Sequence, residues 1–426
     1  MNKNKITLSL AAALTLGIST NTMAAGFQLA EYSATGLGRA FAGEAAMADN
    51  ASAQFRNPAM MTYLEGTQIS TGAIYVDPNI DVKGDLTSSA APDMTIPTQA
   101  NDIAHSAVIP NFYISHRVNE QWAVGLALAT NYGMETELGG DFLGTIFGNQ
   151  ANIMSVEINP NVAYKINDQF SIGAGVRYVM GEGHFGAALP MGGPDLKYME
   201  GDDTAWGWQL GGAWQINEAN RIGFNYRSAV DLKLKGEASG IGYDLVAAAQ
   251  GQTPAKSYAG SMALTLPATA EIASYHQLTD KLAMHASFNW TDWSSFDKLE
   301  ANIPSIGLNP DLIKEENWED NYRIALGATY QYTNKLAVRT GVAYDTSAVN
   351  DKHRTQTIPE TDRLWLSLGA GYQWSNALSF DAGFTYIFAK DASMAESEEI
   401  MGESFTFKGE TTGNVWLVGV QANYRF

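Results

Sequence analysis

Apolar and polar residues alternate in segments that recur from Thr67 to the last residue of the chain. In the last segment every second residue from Trp416 to Phe426 is apolar or aromatic, and from Gly419 onward the residues between them are glycine or polar. A period of two is typical of a β-strand whose two faces meet different surroundings. One face of these strands suits lipid, and the other suits water or a polar lumen.

This rule predicts fourteen strands, with boundaries expected to hold within about 2 to 4 residues. The connections alternate between very short turns, such as Asn119-Glu120 and Asn167-Asp168, and long loops. Outer-membrane barrels place short turns in the periplasm and long loops outside, whereas a water-soluble β-protein has no reason to sort its loops. We therefore predict an all-β, 14-stranded antiparallel transmembrane β-barrel with both termini in the periplasm. The predicted strands are 67–76, 104–117, 122–132, 151–166, 170–183, 203–216, 220–234, 260–277, 282–296, 318–332, 336–345, 361–374, 378–388 and 414–426.

Aromatic residues near the predicted strand ends fit the interfacial girdles of a membrane protein. The chain also ends in Phe426 after alternating apolar residues, which resembles the carboxy-terminal signal recognised when outer-membrane barrels are inserted. We therefore expect the barrel-assembly machinery to be a partner of the last strand. The predicted girdle residues include Trp290, Trp293, Tyr330, Tyr332, Trp365 and Trp374.

The first 24 residues are typical of a secretory signal, because Lys3 and Lys5 precede an apolar run and small residues lie near Ala24. That run is shorter than the about 20 residues that a membrane-spanning helix needs. Removal of this segment leaves 24 basic and 45 acidic residues, a net charge of −21, which argues against nucleic acid as a partner. The sequence contains no cysteine, so disulfides and thiolate metal sites are excluded.

Residues 25–64 do not alternate, although they contain several leucine, phenylalanine and methionine residues. Asn57 followed by Pro58 and Ala59 is typical of a helix start, with asparagine as the N-cap and proline at the first helical position. A barrel of this size leaves a lumen wide enough to hold such a segment. We therefore divide the chain into a signal peptide at 1–24, an internal plug or hatch at 25–64 and the barrel at 65–426.

Several short motifs stand out along the chain: Ala25-Gly26-Phe27-Gln28-Leu29, Gly36-Leu37-Gly38-Arg39-Ala40, Arg56-Asn57-Pro58-Ala59, Asn131-Tyr132-Gly133, Tyr322-Arg323-Ile324-Ala325-Leu326-Gly327, and Ile358-Pro359 with Asp362-Arg363 before Trp365-Leu366-Ser367. Together they resemble the FadL family of outer-membrane long-chain fatty acid transporters. The resemblance runs from the mature amino terminus to the last strand. It implies a fourteen-stranded barrel, a hatch, and a substrate that leaves sideways through the wall into the membrane.

In the FadL family the exit lies at a kink in the third strand, which corresponds here to Asn131, Tyr132 and Gly133. Pro110 and Pro160 lie in the second and fourth predicted strands, on either side of the third. Proline cannot donate a hydrogen bond to a neighbouring strand, so we expect incomplete pairing around the third strand. Two bulges without a function are the alternative interpretation.

The resemblance also implies an apolar pocket for the tail of the substrate. The corresponding residues are Phe27, Gly183, Phe185, Met199 and Lys314, of which Lys314 would meet the carboxylate as a flexible cation. A solvated loop lysine beside Glu315 and Glu316 is the alternative for Lys314. Ala187 replaces an arginine expected on the fifth strand, so uptake of neutral or aromatic hydrocarbons is an alternative function.

The connection between the fifth and sixth strands is also shorter than the family usually has. The next long loop places apolar residues at helical spacing, which predicts either a landing surface for the substrate or a capping helix. These residues are Tyr243, Leu245, Val246 and Ala249.

Other classes of function fit less well. A lipid hydrolase needs a serine within reach of a histidine, and His285, near Ser287 on one strand, is better explained as lumen lining. An open diffusion porin would lack a plug, and an adhesin would have longer loops. We predict no catalytic residue, cofactor or metal. The acidic residues at 202–203 and 396–399 are attributed to solvated loops, with a divalent cation site as the alternative. We expect a monomer in contact with outer-membrane lipid and lipopolysaccharide.

Overall fold

The computed structural model of the protein describes residues 26–400 and 402–426, so the predicted signal peptide lies outside the described residues. Within these ranges, twenty-one β-segments form one antiparallel sheet. They make fourteen barrel strands, because three strands are interrupted and four further segments extend the loops. The segments are β1 (Thr67–Ser88), β2 (Ala91–Ala100), β3 (Ala107–Arg117), β4 (Trp122–Ala129), β5 (Gly133–Glu137), β6 (Gln150–Lys165), β7 (Phe170–Ala188), β8 (Asp195–Asn217), β9 (Asn220–Arg227), β10 (Val230–Ser239), β11 (Tyr258–Leu266), β12 (Thr269–Gln277), β13 (Leu282–Thr291), β14 (Lys298–Ile303), β15 (Leu308–Glu315), β16 (Asn321–Gln331), β17 (Leu336–Asp345), β18 (Arg363–Gln373), β19 (Leu378–Ala389), β20 (Ala392–Ile400) and β21 (Glu403–Arg425).

The first barrel strand pairs with the last, which closes the sheet into a ring. β1 and β21 pair continuously from Gln68 opposite Arg425 to Ser88 opposite Phe405. A closed ring leaves no spanning strand with an open edge, as a sheet in lipid requires. The predicted fold, a closed antiparallel barrel of fourteen strands, is confirmed.

Three barrel strands are interrupted: the third, where the resemblance implied a kink, and the seventh and eighth, which the sequence predicted to be continuous. The third strand consists of β4 and β5, the seventh of β9 and β10, and the eighth of β11 and β12. The eighth is broken at Pro267, which has no amide hydrogen for a neighbouring strand. The seventh is broken at Ser228, whose hydroxyl accepts the amide of Trp208 at 2.9 Å.

The long loops contain more β-structure than the sequence predicted. β1 continues to Ser88, well beyond the predicted 67–76, and pairs with β2 as a hairpin. Two further hairpins join β14 to β15 and β20 to β21. Alternation did not reveal these extensions because neither face of a strand beyond the membrane needs to be apolar.

The helices are short and lie in the amino-terminal segment and the loops. Among the described residues, none is both long and apolar enough to cross a membrane. The helix predicted from Tyr243, Leu245, Val246 and Ala249 is confirmed as α3. The α-helices are α1 (Ala34–Leu37), α2 (Ala53–Arg56) and α3 (Ile241–Ala249), and the 3₁₀-helices are Glu44–Ala46, Pro58–Tyr63, Leu143–Ile146, Trp293–Ser295 and Pro304–Ile306.

Residues 26–64 pack against the inward faces of strands on different sides of the ring. Helix α1 contacts β18, β19 and β21, whereas the 3₁₀-helix Pro58–Tyr63 contacts β6, β7 and β8. Wall arginines bind backbone carbonyls of this segment: Arg227 donates to Phe55 O and Arg323 to Ala40 O, both at 2.7 Å. An amino-terminal segment held from several sides therefore occupies the lumen.

Large apolar side chains cover the outside of the wall, as the alternation predicted. Leu368 and Val420 are 63% and 58% exposed, and Trp374 at 65% fits an interfacial girdle. Trp293 and Trp365, however, are fully buried, so their assignment to a girdle was wrong. Trp293 lies in a loop helix that turns into the barrel, and the Trp365 indole donates to Asp345 at 3.1 Å.

Candidate functional site

The third barrel strand is kinked between β4 and β5. Up to Ala129 the buried side chains stand at odd-numbered positions, whereas from Tyr132 onward they stand at even-numbered positions such as Met134. The change of parity requires one additional residue in the strand, which is the property of a β-bulge. The bulge falls on residues 130–132, beside the predicted Asn131, Tyr132 and Gly133.

A break in the wall lies between β3 and this kinked strand. Their pairing ends at Asn111 opposite Ala129, and one isolated bridge joins Ala104 to Thr136 further along. Between these points, no ladder joins the two strands in the part of the chain that the structure describes. Pro110 is the first residue beyond the last pair. We call this break, bounded by residues 105–110 and 130–135, the wall window.

The amino-terminal segment fills the wall window with its backbone. Leu29 N donates to Asn131 O at 2.8 Å, and Gly133 N donates to Phe27 O at 2.9 Å. Gln28 and Tyr132 form the antiparallel bridge between these two bonds. Residues 27–29 therefore provide backbone hydrogen-bond partners for the kinked strand where β3 no longer pairs with it.

Phe27 anchors this filling segment in a cage of aromatic rings. It is fully buried, and its ring centroid lies 4.6 Å from Trp293, 5.6 Å from Phe296, 6.0 Å from Trp318 and 6.1 Å from Tyr132. Most of these pairs meet edge to face, an arrangement that the charge distribution of aromatic rings favours. The cage therefore connects the segment to the loops that follow β13 and β15.

Gly26 fixes how the segment enters the cage. Its φ angle is +61°, a left-handed conformation that residues with a side chain adopt rarely. A Cβ at this position would lie 2.6 Å from the Trp293 ring. Position 26 therefore requires glycine, because the backbone is left-handed there and no side chain fits beside the ring.

Three of the five residues implied for the tail pocket belong to one buried apolar cluster. Phe27, Phe185 and Met199 are all members, and Phe185 lies opposite Met199 in the β7–β8 ladder. Gly183 lies two residues before Phe185 and faces Leu234, where a Cβ would lie 3.4 Å from its methyl group. The cluster extends to Tyr132, so apolar packing reaches from the loops to the wall window.

Lys314 lies at the border of this cluster but is already paired. Its ammonium contacts the Glu396 carboxylate and donates to Phe147 O at 3.0 Å. The Lys314 side chain is 16% exposed and that of Glu396 is 6% exposed. The alternative of a solvated loop lysine does not describe this partly buried position.

Glu316 connects the chain segment of Lys314, at the end of β15, to the aromatic cage. It lies between β15 and β16, outside the spanning strands, and its carboxylate accepts the Trp318 indole N–H at 3.0 Å. Burial raises the pKa of Glu316 from its ordinary value of 4.5 to about 7, because a charged carboxylate loses its hydration there. Its neighbour Lys314 acts in the opposite direction.

Asn57, Pro58 and Ala59 hold the far end of the amino-terminal segment. Asn57 caps the 3₁₀-helix as predicted: its side chain accepts Ala59 N at 3.0 Å and Pro58 takes the first helical position. The Asn57 amide donates to Ala45 O at 2.6 Å and to Gly212 O of the wall at 3.0 Å. These residues fasten the segment to β8, whereas Phe27–Leu29 contacts the wall window.

Comparison with known proteins decides the family. Residues 15–426 match the model of the family described as outer membrane protein transport protein (OMPP1/FadL/TodX). The chain belongs to this family.

Relatives of known sequence and structure cover almost the whole chain. A 47 kDa outer membrane protein of Pasteurella multocida is 38% identical over 447 residues, with 99% of each chain covered. A long-chain fatty acid transport protein of Escherichia coli O6:H1 (strain CFT073) is 33% identical over 462 residues, covering 99% of this chain and 98% of the relative. The crystal structure of a Pseudomonas aeruginosa FadL homologue superposes with a TM-score of 0.84 at 25% identity, covering 94% of this chain and 100% of that one.

Pro160 lies away from the wall window of this FadL-family barrel. It still stands opposite Leu126 in the β4–β6 ladder, whereas the β6–β7 ladder skips Asn159 and Pro160. The Asn159 side chain donates to Val176 O at 2.9 Å and supplies the hydrogen bond that proline cannot. Pro110 thus borders the break beside the kinked strand, whereas Pro160 interrupts pairing one ladder further on, between β6 and β7.

Sequence reasoning missed four residues of the site: Trp293, Phe296, Trp318 and Glu396. Trp293 was assigned to the lipid face because a tryptophan near a strand end is typical of a girdle. Glu396 lies 82 positions from Lys314 in the chain, and no local pattern indicates such a pairing. In the described part of the molecule, no group of three or more histidine, aspartate or glutamate side chains is placed to hold a metal ion.

Proposed function

We propose that this outer-membrane barrel takes up long-chain fatty acids passively, through the apolar cluster and sideways through the wall window. The observation that carries the proposal is the continuity of buried apolar side chains from Phe185 and Met199 to Tyr132 at the wall window. A fatty acid tail gains about 0.8 kcal/mol for each methylene kept out of water. An apolar route with a side exit suits such a substrate better than an aqueous pore.

The exit requires the filling segment to leave the wall window. Two backbone hydrogen bonds, the Thr291 hydroxyl that donates to the Gln28 side chain at 2.9 Å, and one aromatic cage hold residues 27–29 there. The rest of the segment is fastened to other strands. Local release of these residues would uncover the gap between β3 and β5 without opening the barrel. Tail binding in the cluster would favour release, because Phe27 belongs to the same cluster.

Lys314 would receive the carboxylate while the tail lies against Phe147 and Phe185. Its position at the border of the cluster supports this role, since Phe147 and Phe185 are both members. Ala187, buried at the end of β7, offers no second cation. This supports neutral or aromatic hydrocarbons as the second candidate class, taken up by the same route.

We further propose the division into a signal peptide at 1–24, a hatch at 25–64 and a barrel at 65–426. The short turns and both chain ends would face the periplasm, and the apolar outer surface would contact lipid and lipopolysaccharide. Insertion would proceed through the barrel-assembly machinery, which would recognise the last strand ending in Phe426. We propose a monomer with no enzymatic activity, since transport by this route needs no chemical step.

Uptake by cells tests the proposal. Cells lacking their own fatty acid transporter would be supplied with labelled oleate, with and without this protein. We expect saturable uptake that unlabelled oleate competes for and toluene does not. Absence of oleate uptake, together with uptake of a neutral hydrocarbon, would identify neutral or aromatic hydrocarbons as the substrate class.

A further inference from the structure

Lys314 has a resident carboxylate as its partner. Glu396, on β20, contacts the lysine ammonium, and both side chains are largely buried. A fatty acid that used Lys314 would bring a second carboxylate to the same ammonium. The two carboxylates are chemically equivalent, so the incoming one must replace or share the resident one.

Glu396 has a second partner besides Lys314. Its second carboxylate oxygen accepts the backbone N–H of Gln356 at 2.7 Å. The Gln356 side chain in turn donates to Gly148 O at 2.7 Å and to Gly144 O at 2.5 Å. Glu396 therefore keeps an acceptor role on Gln356 after Lys314 moves to another partner.

The energetics make this exchange sensitive to the glutamate charge. A largely buried cation without a counter-ion is strongly destabilised, whereas a pair that exchanges one carboxylate for another gains little. While Glu396 is charged, the head group of a fatty acid thus adds only a small net gain at Lys314. The nearby Glu316 carboxylate is bound to the Trp318 indole, so with a neutral residue at 396 Lys314 would depend on a carboxylate from outside as its direct partner.

We propose that Glu396 is an internal competitor for Lys314 and thereby sets the affinity and the head-group selectivity of the site. This inference rests on the proposed fatty acid function and deepens it. Glu396 keeps binding weak enough for the substrate to move on toward the wall window. It also lets the site accept uncharged apolar molecules, because the lysine is neutralised when no acid is bound.

The substitution Glu396→Gln tests this role. Glutamine removes the charge but retains an oxygen that accepts the Gln356 N–H. Binding of oleate and of oleyl alcohol would be measured on the purified full-length barrel in detergent. We expect the oleate affinity to rise by at least about tenfold, which corresponds to 1.4 kcal/mol, with the alcohol affinity unchanged.

Glu398→Gln is the matched control, because Glu398 lies on the same strand but is exposed. It should change neither affinity. The double variant Lys314→Gln with Glu396→Gln should lose the gain for oleate. Its affinity for oleate should then lie near its affinity for the alcohol. This result would show that the gain acts through Lys314.

The outcomes separate this inference from the proposed function. An unchanged oleate-to-alcohol affinity ratio in Glu396→Gln, or an equal loss for both probes, would overturn the competitor role even where the wild type transports oleate. If the wild type neither binds nor transports oleate but Glu396→Gln binds it, the competitor role stands and native fatty acid uptake fails. If neither protein binds oleate, both proposals fail.

Discussion

At the scale of single residues, Phe27 decides whether the amino-terminal segment stays in the wall window. Replacing a buried phenylalanine by alanine costs about 3–5 kcal/mol of packing. Because Phe27 packs at the end of its segment, we expect Phe27→Ala to release residues 27–29 and to weaken fatty acid binding. Hydrogen exchange at the amide of Gly133, which donates to Phe27 O, should become faster.

Phe55→Ala is the control for this change. Phe55 is equally buried but belongs to the other apolar cluster, around α2. It should leave exchange at Gly133 as in the wild type. Slow exchange at Gly133 in Phe27→Ala would contradict the anchoring role of the ring.

Glu316 predicts a pH dependence at the same scale. Burial raises its pKa in the folded protein to about 7, above the ordinary value of 4.5. A raised carboxyl pKa contributes stability that is fully present below pH 4.5 and is lost as the pH rises through about 7. Trp318 fluorescence and the thermal unfolding of the loop between β15 and β16 should therefore change over this pH range.

The change should disappear in Glu316→Gln, which stays neutral at every pH. Glu315→Gln, at an exposed neighbouring position, should retain it. An identical pH profile in wild type and Glu316→Gln would assign the effect to another group.

Residue-scale prediction from sequence succeeded where a local rule applied. Asn57 before Pro58 indicated a helix cap, and the cap is present. Glu396 was assigned to a solvated loop because its partner lies far away in the chain. Trp293 was assigned to the lipid face because period-two alternation does not say where a strand leaves the wall.

At the scale of elements, the membrane made the strands predictable. Each spanning segment separates lipid from lumen, so its alternation is visible in sequence. Beyond the membrane this constraint ends, and the hairpins β1–β2, β14–β15 and β20–β21 carried no signal. The break at Pro267 had a visible cause, but its effect on the eighth strand depends on the neighbouring strands.

The Asn159 side chain compensates for Pro160 in the β6–β7 ladder. The Asn159 amide donates to Val176 O, so Asn159→Ala would leave this carbonyl without a partner. We expect a loss of about 1–3 kcal/mol in unfolding free energy, measured by urea unfolding in detergent micelles. Adding Pro160→Ala to this variant should recover part of the loss, since alanine restores a backbone donor.

The rescue should be partial, because the Asn159 oxygen also accepts the Gln209 amide at 2.8 Å. Pro160→Ala alone serves as the control and should be neutral or stabilising. Wild-type stability in Asn159→Ala would remove the compensating role of its side chain.

At the scale of the whole molecule, a closed wall surrounds a segment that contacts many strands and crosses the wall window at residues 27–29. The ring from β1 to β21 has continuous pairing at its closure, so the barrel itself does not need to open. Residues 27–29 pair with the kinked strand in the wall window, beside the apolar cluster to which Phe27 belongs. The central claim is that these residues leave when substrate passes.

A reversible cross-link tests this claim most directly. Gln28 and Tyr132 face each other as a non-hydrogen-bonded antiparallel pair, a geometry close enough for a disulfide, and the chain has no cysteine of its own. Gln28→Cys with Tyr132→Cys would lock the segment in place, whereas Ala104→Cys with Thr136→Cys, the other isolated bridge, would link only the margins of the wall window.

Oleate uptake would be measured for both pairs before and after reduction. The account predicts that the oxidised Gln28–Tyr132 pair blocks uptake and that reductant restores it, while the Ala104–Thr136 pair transports in both states. If the variant with the oxidised Gln28–Tyr132 pair takes up oleate as fast as the same variant after reduction, exit through the wall window is contradicted.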